Sequence, residues 1–154
     1  MIIGIDPGQT GAVAIIGDDR CYVLDTPTET VKKGKGTKTE YLPAEMVQML
    51  KGFKNAHCFI EKVGAMPGQG VTSMFNFGKG FGLWIGILAA LEIPYTLVTP
   101  QAWKKAMMQG IGDKDAARGR AQQLFPSKSK ELSRKKDIGR ADALLIAEYG
   151  RRLK

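Results

Sequence analysis

Short apolar runs alternate with polar turns over the first part of the chain. The runs cover residues 1–5, 11–16 and 21–24, and glycine, proline and aspartate residues separate them. Apolar runs of this length between turn residues are typical of β-strands. Because such short links cannot form a parallel crossover, we predict that these strands are antiparallel neighbours.

After residue 42 the apolar pattern alternates between helical and strand periods. Helical spacing over 43–54 precedes an apolar run at 58–60, which predicts a crossover and therefore a strand parallel to the first one. The remaining pattern predicts a mobile basic loop at 26–40, a Gly/Pro loop at 63–72, a strand at 95–98, and helices at 73–91, 101–108, 113–125 and 140–153. The order β-β-β-α-β-α-β-α-α-α predicts an α/β fold. Its mixed five-stranded sheet, three antiparallel then two parallel strands flanked by helices, is the ribonuclease-H-like arrangement.

Length and composition indicate a globular protein. The chain has 154 residues, of which 44% are hydrophobic and 25% charged, so we expect one domain over residues 1–154. No apolar stretch approaches the roughly 18 residues of a membrane span, and the N-terminus lacks the features of a signal peptide. We therefore expect a cytoplasmic protein without membrane contact, located at the nucleoid or, if the source is viral, in the host cytoplasm. Cys21 and Cys58 are interpreted as core residues, and a single histidine, His57, argues against a zinc site.

The net positive charge comes entirely from the last third of the chain. Residues 1–100 hold 9 basic and 9 acidic residues, whereas residues 101–154 hold 14 basic and 6 acidic ones, which accounts for the net charge of +8. A basic segment on an otherwise balanced domain is typical of a protein that binds a polyanion. A merely soluble basic surface is the alternative.

Four acidic residues occupy positions where a sheet edge and a helix start would meet. Asp6 ends the first predicted strand and Glu61 the fourth, so parallel pairing would place both carboxylates at one edge. Asp137 and Asp142 flank the start of the last helix. Five residues of continuous helix would turn these two side chains about 140° apart, so they converge only if Asp137 precedes the helix and Gly139 lies in a bend.

Converging carboxylates repel one another unless cations neutralise them. Their oxygen ligands favour Mg²⁺, with Mn²⁺ as a substitute, over zinc. Two ions about 3.5–4 Å apart would clamp the attacking and leaving oxygens of a phosphodiester. The alternative is that each acid is a helix cap, a turn residue or a surface charge.

The ordered motifs of the chain resemble RuvC-type Holliday-junction resolvases. The matching pieces are IGIDPGQTGAVAI, FIEKV, Lys114 ahead of a helix, and GRADALLIAEYG. The resemblance implies a homodimer that nicks two opposed strands of a four-way DNA junction with two Mg²⁺ per site, and it gives catalytic roles to Asp6, Glu61, Asp137 and Asp142. Bacterial members commonly carry an acid or histidine three residues before the last aspartate, where this chain has Gly139. An acid five residues before it is similar to the phage and plastid-type branch.

The same resemblance implies the DNA contacts. Lys114 and Lys104 would lie near the scissile phosphate, and the region 63–77 would reach into the centre of the junction, where apolar side chains can hold unstacked bases apart. Packing of those side chains into the core is the alternative. The candidate DNA-binding residues are Lys104, Lys105, Arg118, Lys135, Lys136, Arg140, Met66, Gln69 and Phe75.

Glycines mark one face of the predicted helix at 73–91. Gly78, Gly82 and Gly86 recur every fourth residue, which leaves that face nearly bare of side chains. A bare face permits close packing against the rest of the chain, which we favour, or against a second copy.

Three other functions compete with junction cleavage. A ribonuclease-H-like nuclease acting on an RNA–DNA hybrid or flap DNA would use the same acids. A protein that binds junctions without cutting them would have no need of clustered acids beside DNA. Asp6, Gly8 and Thr10 also resemble the phosphate loop of actin-like ATPases, but those proteins enclose a nucleotide between two such domains.

Overall fold

The computed structural model describes residues 1–109 and 115–154. Over these residues the strands are β1 (Ile2–Asp6), β2 (Ala12–Ile16), β3 (Cys21–Asp25), β4 (Thr28–Lys33), β5 (Gly36–Tyr41), β6 (His57–Glu61) and β7 (Tyr95–Val98). Five of them form one sheet in the order β3-β2-β1-β6-β7. The first three pair antiparallel, while β6 and β7 extend the sheet as parallel strands. This topology confirms the predicted fold.

Helices cover both faces of the sheet. They are α1 (Pro43–Leu50), α2 (Val71–Ala90), α3 (Pro100–Met107), α4 (Ala116–Leu124) and α5 (Ile138–Leu153), with short 3-10 turns between the last two. Alternate residues of β1 face the two layers: Ile2 packs in the core with α3, α4 and α5, whereas Ile3 and Ile5 pack in the core with α1 and α2. A sheet covered on both faces buries the side chains of its central strands, which explains why these strands appear as continuous apolar runs.

The helix α5 lies directly on β1 because small residues meet at the crossing. A Cβ added to Gly4 would lie 2.3 Å from the carbonyl oxygen of Ala143 and 2.5 Å from the backbone nitrogen of Ala147. Both alanines are fully buried. The absence of a side chain at Gly4 therefore sets the height of α5 above the sheet, and with it the position of Asp142.

The predicted mobile loop at 26–40 is wrong, because β4 and β5 form a separate antiparallel hairpin there. Gly34, with φ of +57°, lies in its turn, where a left-handed conformation favours glycine. Threonine, valine and tyrosine supply strand propensity, but most hairpin residues are exposed. The lysine-rich sequence therefore lacks the apolar alternation that marks a strand with one buried face.

The predicted helices differ from the observed ones mainly at their ends. The helix predicted over 43–54 stops at Leu50, just before Gly52, which has φ of +96°. The last helix begins at Ile138 rather than at 140. The beginning of the helix predicted over 113–125 lies partly outside the described residues. Within the described parts of the chain, no helix is both long and apolar enough to cross a membrane.

Candidate active site

The parallel pairing of β1 with β6 brings Asp6 and Glu61 together. Ile5 lies opposite Ile60 in the register, so Asp6 and Glu61 follow at the same edge of the sheet. Side chains alternate between the two faces of a strand. Asp6 is two residues beyond Gly4, which meets α5, and Glu61 is two beyond Phe59, whose ring contacts α5. Both carboxylates therefore project from the face that α5 covers.

The helix α5 adds Asp142 to this pair. Burial raises the pKa of Asp142 to about 7, and the negative charge of Glu61 adds to the effect. Burial also raises the pKa of Asp6 well above its usual range, and the charges of Asp142 and Glu61 raise it further. These shifts show that the three carboxylates are close enough to repel one another in a poorly solvated place. We call Asp6, Glu61 and Asp142 the acid cluster.

The helix α3 gives the acid cluster a hydrogen bond and a positive charge. Trp103 Nε1 donates to Glu61 Oε2 at 2.5 Å. Burial raises the pKa of Glu61, while this hydrogen bond and the charge of Lys104 lower it. The charge of Lys104 also opposes the rise in the pKa of Asp6 and of Asp142. The Lys104 ammonium lies 5.4 Å from the centre of the Trp103 ring.

The chemistry of the acid cluster fits a hard divalent cation. Carboxylate oxygens are the ligands that Mg²⁺ and Mn²⁺ prefer, and a cation would relieve the mutual repulsion. Over residues 1–109 and 115–154, however, no group of three or more His, Cys, Asp or Glu side chains is arranged so that it could hold a metal ion as it stands. The ligand types are suitable, but metal binding requires these side chains to move.

Asp137, the fourth predicted acid, is not brought to the acid cluster. It is buried at the start of α5, where its Oδ2 accepts from the backbone nitrogen of Arg134 at 2.8 Å and its Oδ1 accepts from Arg134 Nη2 at 2.8 Å. Hydrogen bonding to Arg134 holds its pKa below the usual range, and the other charges that act on it are arginines. Gly139 lies inside α5 rather than in a bend. A Cβ added to it would lie 2.2 Å from the carbonyl oxygen of Thr10, so α5 approaches Thr10 closely at this point. In this structure Arg134 therefore holds the Asp137 carboxylate at the start of α5.

Two of the predicted DNA-binding arginines are engaged within the chain. Arg118 donates to Asp115 Oδ1 at 2.9 Å and to the carbonyl of Leu132 at 3.1 Å. Arg140 donates to both carboxylate oxygens of Asp25, at 2.7 and 2.9 Å. Contact with DNA would cost each of them these bonds, so their arrangement favours a structural role.

The other predicted contacts lie on the surface. Lys104, Lys105, Lys135 and Lys136 are exposed. Lys114 lies outside the described residues.

Apolar side chains are exposed where the 63–72 loop meets α2. Met66 is 65% and Phe75 71% exposed, and Val71, one turn before Phe75, is 86% exposed. Gln69 Nε2 lies 3.5 Å from Ser73 Oγ in the same region. The alternative that Met74, Phe75 and Phe77 face the core is therefore wrong for Phe75, whereas Met74 and Phe77 are half-buried. Several large apolar side chains exposed between residues 66 and 75 favour a binding surface in this part of the chain.

Sequence reasoning missed Trp103 and the connection of the hairpin to the site. Gln9, three residues after Asp6, donates through Nε2 to the carbonyl of Thr39 in β5 at 2.8 Å. Tyr41 donates to the carbonyl of Asn76 at 3.0 Å, and burial together with the charge of Asp6 raises its pKa to about 12. Neither contact has a sequence signal, because each depends on how separate elements meet.

The sequence and the fold were compared with those of known proteins. No protein-family model matches the chain. A stretch of 92 residues, 59% of the chain, is 33% identical to the chloroplastic Holliday junction resolvase MOC1 of Chlamydomonas reinhardtii, and it covers 10% of that protein. The chain thus spans about a tenth of the length of this curated relative.

Solved structures match over nearly the whole chain. The structure of Thermus thermophilus RuvC in complex with Holliday junction substrate matches with a TM-score of 0.65 and 16% identity, over 99% of this chain and 94% of that one. A second structure of Thermus thermophilus RuvC matches with a TM-score of 0.60 and 18% identity, over 99% and 95% of the two chains. The chain therefore has the RuvC fold, and its similarity to MOC1 confirms the resemblance to the plastid-type branch of the RuvC-type resolvases.

Proposed function

We propose that this chain is a divalent-metal-dependent endodeoxyribonuclease that resolves four-way DNA junctions by paired symmetric nicks. The observation that carries the proposal is the acid cluster, which three separate elements build at one edge of a RuvC-type sheet. Buried carboxylates that raise one another's pKa are costly to a fold and are typical of functional sites. The proposal treats residues 1–154 as a single nuclease domain that acts in the cytoplasm, where the DNA is.

We assign the metal site to Asp6, Glu61 and Asp142 and leave Asp137 out of it. Two Mg²⁺ ions, with Mn²⁺ as a substitute, would activate a water for in-line attack and stabilise the departing 3′ oxygen. Lys104 faces the same carboxylates and would attract the scissile phosphate. A catalytic role for Lys114, implied by the family resemblance, is part of the proposal.

The surface beside the site supports a branched substrate. Exposed Met66, Val71 and Phe75 form an apolar projection that could stack on unpaired bases at a junction centre. Lys105, Lys135 and Lys136 are exposed cations that would contact the backbone of the arms. A regular duplex offers no unstacked bases to such a projection.

Paired cuts require two sites, so the proposal includes a homodimer. The prediction that the glycine face of α2 packs within the chain is wrong for residues 1–109 and 115–154, because a Cβ added at Gly78, Gly82 or Gly86 would meet none of their atoms within 4 Å. Beside Gly82 and Gly86 runs an apolar groove of about 410 Å³, lined also by Leu83 and Ile87. An open face without side chains supports close approach of a second copy.

Cleavage of matched substrates tests the proposal. End-labelled four-way junction, linear duplex, flap DNA and RNA–DNA hybrid are incubated in parallel with Mg²⁺ and with EDTA. We expect symmetric paired nicks in the junction alone, and only with Mg²⁺. Preferential cutting of hybrid or flap would instead identify a ribonuclease-H-like nuclease with another substrate, and equal cutting of linear duplex would refute junction selectivity.

The variant Asp6→Asn separates binding from cleavage. It keeps the shape of the side chain but removes one carboxylate of the acid cluster, so we expect cleavage to be lost while junction binding persists in a mobility-shift assay. Loss of binding by a folded variant would give Asp6 a different role.

A further inference from the structure

The two tryptophans of the chain are both fully buried, but they differ at their indole N–H groups. Trp103 and Trp84 each have 0% exposure. The N–H of Trp103 donates to Glu61 Oε2 at 2.5 Å, whereas the N–H of Trp84 has no hydrogen-bond partner among the described residues. A buried N–H normally finds a partner. The indole of Trp103 finds it in a carboxylate of the acid cluster, which makes a charge-assisted hydrogen bond.

The backbone brings the ring of Trp103 over Glu61. Glu61 pairs with Val98 in the parallel register of β6 and β7, so both strands end at the same level. The next residue, Thr99, caps α3, and its Oγ1 accepts from Ala102 N at 3.2 Å. This cap starts α3 immediately after β7. Trp103, in the first turn of α3, therefore lies close to Glu61, the residue that pairs with the last residue of β7.

Packing fixes the direction of the Trp103 N–H. The ring is part of the core that also contains Met107, Ala117 and Leu144. Protein cores are close-packed, so the indole cannot rotate without displacing these side chains. Glu61, by contrast, ends a strand and is only partly buried, so its carboxylate has rotational freedom that the indole removes.

We propose that Trp103 is a positioning residue, whose N–H holds Oε2 of Glu61 and thereby presents Oε1 to the metal and the scissile phosphate. The proposal rests on the proposed function, since it assigns a supporting contact to the same site. Groups that orient a metal ligand typically change metal affinity by about 10–100-fold when they are removed. Trp103 touches neither substrate nor metal in this role, and it acts only through Glu61.

Nuclear magnetic resonance tests the contact itself without any metal. The chain has two tryptophans, so an ¹⁵N-labelled sample gives two indole N–H resonances. We expect the Trp103 signal to lie downfield of the Trp84 signal and to move upfield in Glu61→Gln, because the acceptor then loses its charge. The Trp84 signal should stay in place. A Trp103 signal that does not respond to Glu61→Gln would overturn the contact, and this test does not depend on whether a Trp103 variant folds.

A matched pair of substitutions tests the function of the contact. Trp103→Phe and Trp84→Phe each shorten one fully buried ring, but only the first removes a donor to Glu61. Binding of Mn²⁺, followed by electron paramagnetic resonance, and the Mg²⁺ dependence of junction cleavage are measured for both. We expect about 10–100-fold weaker Mn²⁺ binding and a matching rise in the Mg²⁺ requirement for Trp103→Phe. Trp84→Phe should behave as wild type in both assays.

The outcomes distinguish this proposal from the proposed function. If wild type binds Mn²⁺ and cuts junctions while the two variants behave alike, the positioning role is overturned and the nuclease assignment stands. If wild type neither binds Mn²⁺ nor cuts junctions, the nuclease assignment fails and the positioning role fails with it. Partial recovery of Trp103→Phe cleavage at high Mg²⁺ would support positioning, whereas a loss that high Mg²⁺ does not recover would indicate a general loss of packing and overturn it.

Discussion

Replacing Asp142 by asparagine should stabilise the metal-free protein at neutral pH and above. Burial and the neighbouring Glu61 raise the pKa of Asp142 from an ordinary 3.8 to about 7. Between these values the folded protein binds a proton that the unfolded chain has lost, so the free energy of unfolding falls as pH rises. This contribution is fully present below pH 3.8 and is lost as pH rises through about 7.

The change in the free energy of unfolding follows from the size of the pKa shift of Asp142. About three pKa units at 1.36 kcal/mol each give a loss of roughly 4 kcal/mol by pH 8, which is a large fraction of the stability of a domain this size. The asparagine side chain of the variant has no proton to lose and nearly the same shape as aspartate. The difference in unfolding free energy between variant and wild type should therefore grow by up to about 4 kcal/mol between pH 4 and pH 8.

Urea denaturation in EDTA across this pH range measures the difference. Asp18→Asn, in an exposed turn residue, is the control and should follow wild type at every pH. Added Mg²⁺ should narrow the difference, because a ligand at 100 times its dissociation constant stabilises wild type by about 2.7 kcal/mol. A variant that tracks wild type from pH 4 to pH 8 in EDTA would refute the idea that Asp142 is held against other buried carboxylates.

Three further perturbations test other parts of the structure. Gly139→Ala would place a Cβ 2.2 Å from the carbonyl oxygen of Thr10, so we expect a loss of about 1–3 kcal/mol in urea denaturation and slower cleavage. Gly119→Ala, whose Cβ would meet no atom of the described residues within 4 Å, is the control and should be neutral or stabilising. Phe75→Ala should change the free energy of unfolding by less than about 0.5 kcal/mol, since the ring is 71% exposed. It should abolish the increase in fluorescence that the protein causes in 2-aminopurine at a junction centre. An unchanged increase would show that the ring stays out of the junction. The three lysines within 32–35 are replaced by glutamine. The slope of log binding constant against log salt concentration should become shallower by up to about 0.9 for each lost phosphate contact. A slope equal to that of wild type would place the hairpin away from DNA.

The sheet and two of its carboxylates could be predicted because burial leaves a clear pattern. The central strands are covered on both faces, so each appears as an apolar run, and Asp6 and Glu61 stand out as acids at the ends of such runs. Parallel pairing followed from the crossover between them. The hairpin of β4 and β5 was missed for the opposite reason. Most of its residues are exposed, so hydrophobic patterning carries little information there.

The two acids near the start of α5 could not be told apart from sequence. Asp137 and Asp142 both lie near a helix N-terminus, where a negative charge is favourable for structural reasons alone. What separates them is Arg134, which pairs with Asp137 across the first turn, and the crossing of α5 over Gly4, which directs Asp142 to Asp6. The hydrogen bond from Trp103 to Glu61 depends both on the register of β6 with β7 and on the rotation of α3 about its axis. Local sequence predicts neither of them.

The central claim is that Asp6, Glu61 and Asp142 together hold the divalent cation used for cleavage. X-ray diffraction from crystals soaked in MnCl₂, recorded at the manganese absorption edge, tests it most directly. We predict anomalous density bounded by the carboxylate oxygens of these three residues, and its loss in crystals of Asp142→Asn. Manganese bound elsewhere in a protein that cuts junctions, or density at the same place in Asp142→Asn, would contradict the account.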